Sequence, residues 1–153
     1  MSIESKLKEA GITLPETPKP LAAYVPALRI DQWVYTSGQI PVAGGALKFA
    51  GKAGQDVSLE EAQEAARLCA INALSAAKSV IGDLDAVEQI VKVTGFVNSA
   101  PGFTDQPAVI NGASEFLKSI FGESGAHTRS AVGVAELPLN AAVEIEMIFK
   151  LKS

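Results

Sequence analysis

An α+β layer fold, with two helices on one face of a mixed sheet, is what this sequence predicts. Three observations carry that prediction. A long helical stripe of small apolar residues runs between Ser58 and Gly82. A second amphipathic stretch runs from Asp105 to Gly122. Between and around them lie segments with period-two or continuous apolar character, ending in Ala141–Leu151. Helices that alternate with strands in this way bury one stripe each against a sheet. With 153 residues and no internal repeat, a single domain is expected, carrying an N-terminal extension over residues 1–20.

The elements follow in order. Ile3, Leu7 and Ala10 recur at helical spacing, and Gly11 ends that short helix. Pro15, Pro18 and Pro20 make Leu14–Pro20 an extended connector. Ala23–Ile30 and Gln32–Ser37 read as two strands joined at Asp31, a hairpin without glycine. The segment from Val42 to Gly54 is glycine-rich and reads as a loop, with one short strand at Ala46–Phe49. Ser58 and Glu61 form a capping-box pattern at the start of the first long helix. Its stripe is Ala62, Ala65, Ala66, Cys69, Ala73, Ala76 and Val80, and Gly82 closes it. Ala86–Asn98 is a buried strand in which Gly95 suggests a bulge. Pro107 fits the first turn of the second long helix, and Gly122 terminates it. Arg129–Ala135 and Ala141–Leu151 are the last strands. In the latter, Val143, Ile145, Met147 and Phe149 face one way, and Glu144, Glu146 and Lys150 the other. The far side of the sheet, expected to carry Tyr24 and Val34 or Tyr35, has no helix of its own to cover it. Oligomerisation is the simplest way to bury it.

Composition narrows the function classes. The net charge is −4 and the 13 Lys and Arg never stand next to one another, which disfavours nucleic-acid binding. Cys69 is the one cysteine, so no intrachain disulfide forms, and its place on a helix stripe marks a small buried hydrophobe. Met1–Ala10 is polar and mixed, and no apolar run reaches membrane-spanning length. A cytoplasmic protein without membrane contact is the expectation. His127 is the only histidine and has no partner at metal-ligand spacing, so no metal and no other cofactor are expected.

The chemistry concentrates near the C-terminus. Arg129 stands where a loop becomes a strand, beside the small residues Ser130, Ala131 and Gly133. That setting suits a carboxylate ligand, which the planar guanidinium fork grips with two parallel hydrogen bonds. Glu144 and Glu146 lie on one face of the next strand, about 7 Å apart. If both are buried, one raises the pKa of the other. Glu144 can also be a solvated strand glutamate, and Glu146 a structural ion-pair partner. His127, two residues before Arg129, can shuttle protons near neutral pH or anchor its loop by a hydrogen bond.

These residues carry a resemblance. Arg129, Ser130, Val132, Ala135, Leu137, Pro138, Val143, Glu144 and Ile145 match the Rid/YjgF family, the reactive intermediate (enamine/imine) deaminases. Tyr24 ahead of Ser37-Gly38-Gln39-Ile40-Pro41 resembles that family's N-terminal signature. Asn111 sits where the family carries an Asn opening its second helix. The three blocks match in order from Tyr24 to the C-terminus. His127 departs from the Pro or Ala usual at its position, and with the Gly- and Ala-rich Val42–Gln55 segment it resembles a subgroup of longer members.

The resemblance implies a chorismate-mutase-like fold and a homotrimer with clefts between subunits. It implies deamination of imines and enamines such as 2-aminoacrylate to 2-keto acids and ammonia. Arg129 would clamp the substrate carboxylate and Glu144 would hold the attacking water. Tyr24, Ser37 and Asn111 would line the pocket, Asn111 reaching it from an adjacent subunit, and the backbone at Gly38 and Ala131 would orient the imine. A keto-acid or small-carboxylate binding protein without turnover is the alternative. Endoribonuclease activity, also attached to this family, fits the acidic charge and single histidine less well. The Val42–Gln55 loop is a candidate cap over the cleft.

Overall fold

The computed structural model describes residues 1–17 and 23–153. The last residues of the proline-rich connector lie outside them. A first helix, α1 (Ile3–Glu9), is capped by the Ser2 hydroxyl and buries Leu7 in the common core. The Ile3 amide donates to the Asp85 carboxylate at 2.7 Å, and the Thr17 hydroxyl donates to the Ser75 carbonyl at 2.9 Å. The described part of the N-terminal extension, residues 1–17, is therefore packed against the body of the fold.

Strands β1 (Ala27–Ile30) and β2 (Trp33–Thr36) form the expected hairpin, with Asp31 at φ 53° supplying the left-handed residue that glycine usually provides. The glycine-rich segment is more ordered than its composition suggests. It holds a second hairpin, β3 (Val42–Ala43) and β4 (Ala46–Leu47), closed by Gly44-Gly45 with both φ angles positive. That is the two-residue turn whose twist matches paired strands. The Asn72 amide clamps this region by donating to the Ile40 and Val42 carbonyls.

Helix α2 (Leu59–Ile81) begins with the capping box: the Ser58 hydroxyl accepts from the Glu61 amide and the Glu61 carboxylate accepts from the Ser58 amide, each at 3.1 Å. Strand β5 (Val87–Asn98) leads into α3 (Gln106–Phe121), with Pro107 in its first turn. Strands β6 (Thr128–Val134) and β7 (Val143–Leu151) complete the sheet, whose order is β1-β2-β7-β5-β6. Only β5 and β6 are parallel, joined by the α3 crossover. The result is the α+β layer fold that the sequence predicts, with α2 and α3 on one face.

Three expectations need correcting. Gly95 is not a bulge: the register shifts lie between Val87 and Gln89 and between Ile90 and Lys92. A Cβ at Gly95 would fall 2.4 Å from Ile110 Cδ1, so this glycine lets α3 approach the sheet. Asn111 does not open α3, which starts five residues earlier at Gln106. The segment from Val42 to Gly54 is not a loop with one short strand, since it holds the β3–β4 hairpin. It runs along the β7 end of the sheet, where Phe49 O accepts from the Ala142 amide, Gly51 N donates to Asn140 O, and Lys52 Nζ donates to Asn98 Oδ1.

The helix-free face is apolar as expected. Leu28, Ile30, Trp33, Tyr35 and Val132 are exposed there, while Val34 points the other way into the core. Helix packing is set by small residues. Besides the alanine stripe of α2, Gly112 places the α3 backbone against α2, where a Cβ would lie 2.1 Å from the Gln63 carbonyl oxygen. In an uncrowded helix interior Gly→Ala gains up to about 1 kcal/mol. Here the clash reverses the sign. Gly112→Ala is expected to cost about 1–3 kcal/mol, the usual penalty of overpacking, and to lower the urea midpoint.

Candidate functional site

Arg129 is the second residue of β6, the edge strand. Its sheet partner is Val93, which in turn lies opposite Met147, and both are buried beneath the helices. Its side chain therefore rises on the helix side, at the margin of α3. There its Nη1 donates to Asn111 Oδ1 at 2.7 Å and to Ser114 Oγ at 3.2 Å. Asn111 and Ser114 stand three residues apart on α3, so they share one face. The two Nη1 protons are thus both engaged. Nε and Nη2, which form the other edge of the guanidinium, have no partner among the described residues, and no carboxylate pairs with Arg129 there. The half-buried residue lines an open cleft of about 350 Å³ together with Asn111, Ser114, Glu115, Lys118, Gly125 and His127, and Glu115 makes no ion pair with it.

His127 takes the anchoring role: Nδ1 lies 2.6 Å from Gly125 O and Nε2 2.9 Å from Ser114 Oγ. Sequence reasoning did not single out Ser114. Its only signal there is its position one turn beyond Asn111. Ala131 is half-buried against the core two residues after Arg129.

Glu144 belongs to a different place. It lies opposite Phe96, which lies opposite Val132, so its side chain leaves the helix-free face. Burial, and then the negative charge of Glu146, push its carboxyl above the ordinary glutamate range. Gly38 makes room for it, since a Cβ there would sit 2.7 Å from Glu144 Cδ. The neighbouring Ser37 hydroxyl donates to Val25 O at 2.6 Å and holds the segment leading from Tyr24. Tyr24 is exposed. The Cys69 thiol is pushed up by burial and by Glu144, which leaves it unreactive.

The predicted residues therefore fall into two groups. Arg129, Asn111 and His127 come together with Ser114 on the helix side of the sheet edge. Glu144, Gly38 and Ser37, with Tyr24 leading into them, lie around β2 and β7. Arg129 and Glu144 are two strands and three residues apart, about 14 Å, on opposite faces. The cleft that Arg129 lines does not include Glu144.

The raised carboxyl of Glu144 gives a stability signature. Its folded form holds a proton more tightly than the unfolded chain, so stability falls as pH rises through and above the unfolded value of about 4.3. Glu144→Gln removes that penalty. The variant is expected to melt above the parent protein at pH 7, with the difference vanishing below about pH 4, in thermal scans across that range.

The whole arrangement has relatives. A family model described as "YjgF/chorismate_mutase-like, putative endoribonuclease" matches residues 4–151. The chain is 41% identical to Protein TCP17 of Trypanosoma cruzi, over 99% of this chain and 95% of that one. It is 36% identical to a 2-iminobutanoate/2-iminopropanoate deaminase of Dermatophagoides farinae, over 90% and 92%. The crystal structure of Atu1372 from Agrobacterium tumefaciens, a protein of unknown function, superposes with a TM-score of 0.92 at 44% identity, covering 98% of this chain and 92% of that one. With sequence motifs, fold and family model in agreement, this chain belongs to the YjgF family, which includes the imine deaminases.

Proposed function

We propose that the protein hydrolyses small 2-imino acids to 2-keto acids and ammonia, in clefts that two copies of the chain build together. The observation that carries this reading is the Arg129 fork. Arg129, half-buried, is anchored through Nη1 by two neutral side chains, its Nε and Nη2 have no hydrogen-bond or ion-pair partner among the described residues, and it lines an open cleft. The Nε–Nη2 edge matches the two oxygens of a substrate carboxylate. The deaminase relative's name specifies imino acids, which carry that carboxylate.

The remaining chemistry needs a water and a proton acceptor. Glu144 is the group suited to it, because burial and Glu146 raise its carboxyl toward the working pH. Because Glu144 and Arg129 leave opposite faces of one sheet, a second copy brings its Glu144, with Gly38, Ser37 and Tyr24, to the Arg129 cleft. The exposed apolar face through Leu28, Trp33, Tyr35 and Val132 supplies the surface for that association, and a homotrimer closes it. In the site, the Glu144 carboxylate takes a proton from water as its oxygen bonds to the imine carbon. Glu144 returns that proton to the nitrogen, and as the C–N bond breaks the carbinolamine hydroxyl proton passes through Glu144 to the leaving nitrogen, so that ammonia departs, the keto acid forms and the carboxylate is regenerated. The imine carbon is already electrophilic, so positioning and proton transfer suffice. A net charge of −4 and a single histidine favour this chemistry over RNA cleavage.

The test is to generate 2-iminopropanoate with an amino-acid oxidase, trap it with semicarbazide, and follow the loss of adduct as the protein is added. Arg129→Ala is expected to lower kcat/KM at least a hundredfold, mainly through KM. Glu144→Gln is expected to lower kcat about 10²–10⁴-fold with KM little changed. Ligand binding without turnover in the parent protein would instead establish a carboxylate-binding role.

The shared cleft has its own test. Mixing and reassembling inactive Arg129→Ala and Glu144→Gln chains in equal amounts should restore about a quarter of the parent rate, the share of clefts that unite two intact halves. No recovery from reassembled mixtures would place both groups in one subunit's site.

A further inference from the structure

Ser114 and His127 form a connection that the deamination chemistry above does not use. The direction of each hydrogen bond follows from which atoms can donate. Gly125 O offers only lone pairs, so His127 Nδ1, 2.6 Å away, carries the hydrogen. In the neutral ring Nε2 is then bare, and it accepts the proton of the Ser114 hydroxyl at 2.9 Å. With its own proton directed to His127, Ser114 Oγ presents lone pairs to the Arg129 Nη1 hydrogen at 3.2 Å. The other Nη1 hydrogen goes to Asn111 Oδ1.

The helix serines of this chain divide between local and tertiary bonds, and Ser114 shares the tertiary kind with Ser75, whose hydroxyl donates to Pro15 O. Ser79 and Ser119 turn back to donate to the carbonyls three residues earlier, Ala76 O and Phe116 O, each at 2.6 Å. Ser114 makes no such bond and reaches instead to the neighbouring loop and strand. Both ring nitrogens of His127 are engaged, so the ring has no free nitrogen to turn toward substrate.

We infer that Ser114 and His127 are positioning residues. Read from the Gly125 carbonyl through His127 and Ser114, the chain of bonds fixes the Arg129 guanidinium so that its Nε–Nη2 edge, and not an Nη1 tip, meets the substrate carboxylate. The histidine at this place thereby replaces proton shuttling with alignment of the clamp. This inference rests on the reading of Arg129 as a carboxylate clamp.

The test exploits the single histidine. Protein labelled with ¹⁵N-histidine reports one imidazole ring, that of His127. In the neutral ring the hydrogen is expected on Nδ1, with Nε2 bare, and the opposite tautomer would overturn the inference. With 2-oxobutanoate as the probe, followed by calorimetry, Ser114→Ala is expected to bind about tenfold more weakly, the worth of one anchoring hydrogen bond. Ser114→Thr, which keeps the hydroxyl, should restore the affinity. In the parent protein the probe should move the Nε2 resonance, and in Ser114→Ala it should not. Equal affinities for parent and Ser114→Ala, with Arg129→Ala still impaired, would remove Ser114 from the clamp while leaving the clamp itself. Parent protein that fails to bind the probe, or binds it without needing Arg129, would overturn the clamp and this inference with it.

Discussion

The close approach of α3 to its neighbours is the constraint on which the site depends. Gly112 lets the α3 backbone meet Gln63 of α2, and Gly95 lets Ile110 press into the sheet. A side chain at either position would push α3 outward. Asn111 is the residue between Ile110 and Gly112, and Ser114 follows one turn later, so the same contacts that seat the helix set where both side chains fall. Arg129 approaches from the edge strand and meets them at 2.7 and 3.2 Å. A displacement of α3 by even a bond length would break those bonds, since they weaken steeply beyond normal distances. Core packing and clamp geometry are thus one requirement expressed twice.

Charge placement follows a matching division. Arg129 is held by neutral groups and keeps its positive charge available to a ligand. Glu144 is half-buried beside Glu146 on the far face, with Gly38 leaving it space. Within one chain neither charge answers the other. Two groups that would neutralise each other as an ion pair are kept about 14 Å apart by two intervening strand spacings and opposite faces. Within one chain, such a pair would lower the Glu144 pKa that burial and Glu146 raise.

Much of this was legible in the sequence, and the exceptions have physical causes. The capping box, the alanine stripe and the alternation of β7 are local patterns, and they fold as their spacing predicts. Gly95 was misread because a glycine in a strand has the same sequence signature whether it bulges or admits a neighbour. The neighbour, Ile110, is fifteen residues away and visible only in the fold. Asn111 was placed at a helix start by the family resemblance alone, while Asp105 and Pro107, read from the residues themselves, open α3 as the structure has it. The glycine-rich segment concealed a hairpin, since Gly44-Gly45 reads equally as loop and as turn. Ser114 carried no signal beyond its one-turn spacing from Asn111. Its meaning comes from Arg129 and His127, which approach from another element. The anchoring of His127, one of two readings open at the start, is the one its two ring contacts take.

The last step concerns stability. Folding places Glu144 where its charged form is disfavoured, and that works against the fold at neutral pH. Nothing in the packing demands a carboxylate there. The row through Phe96 and Val132 would accept an apolar side chain as readily, and Gly38 would then be free to carry a Cβ. A destabilised carboxylate with a glycine making room for it is the pattern expected where chemistry, and not folding, selects the residue. Arg129, on the opposite face, is held by neutral side chains and has no ion pair among the described residues. Glu144 thus works against the stability of the single chain, a cost for which its proposed role as proton acceptor accounts.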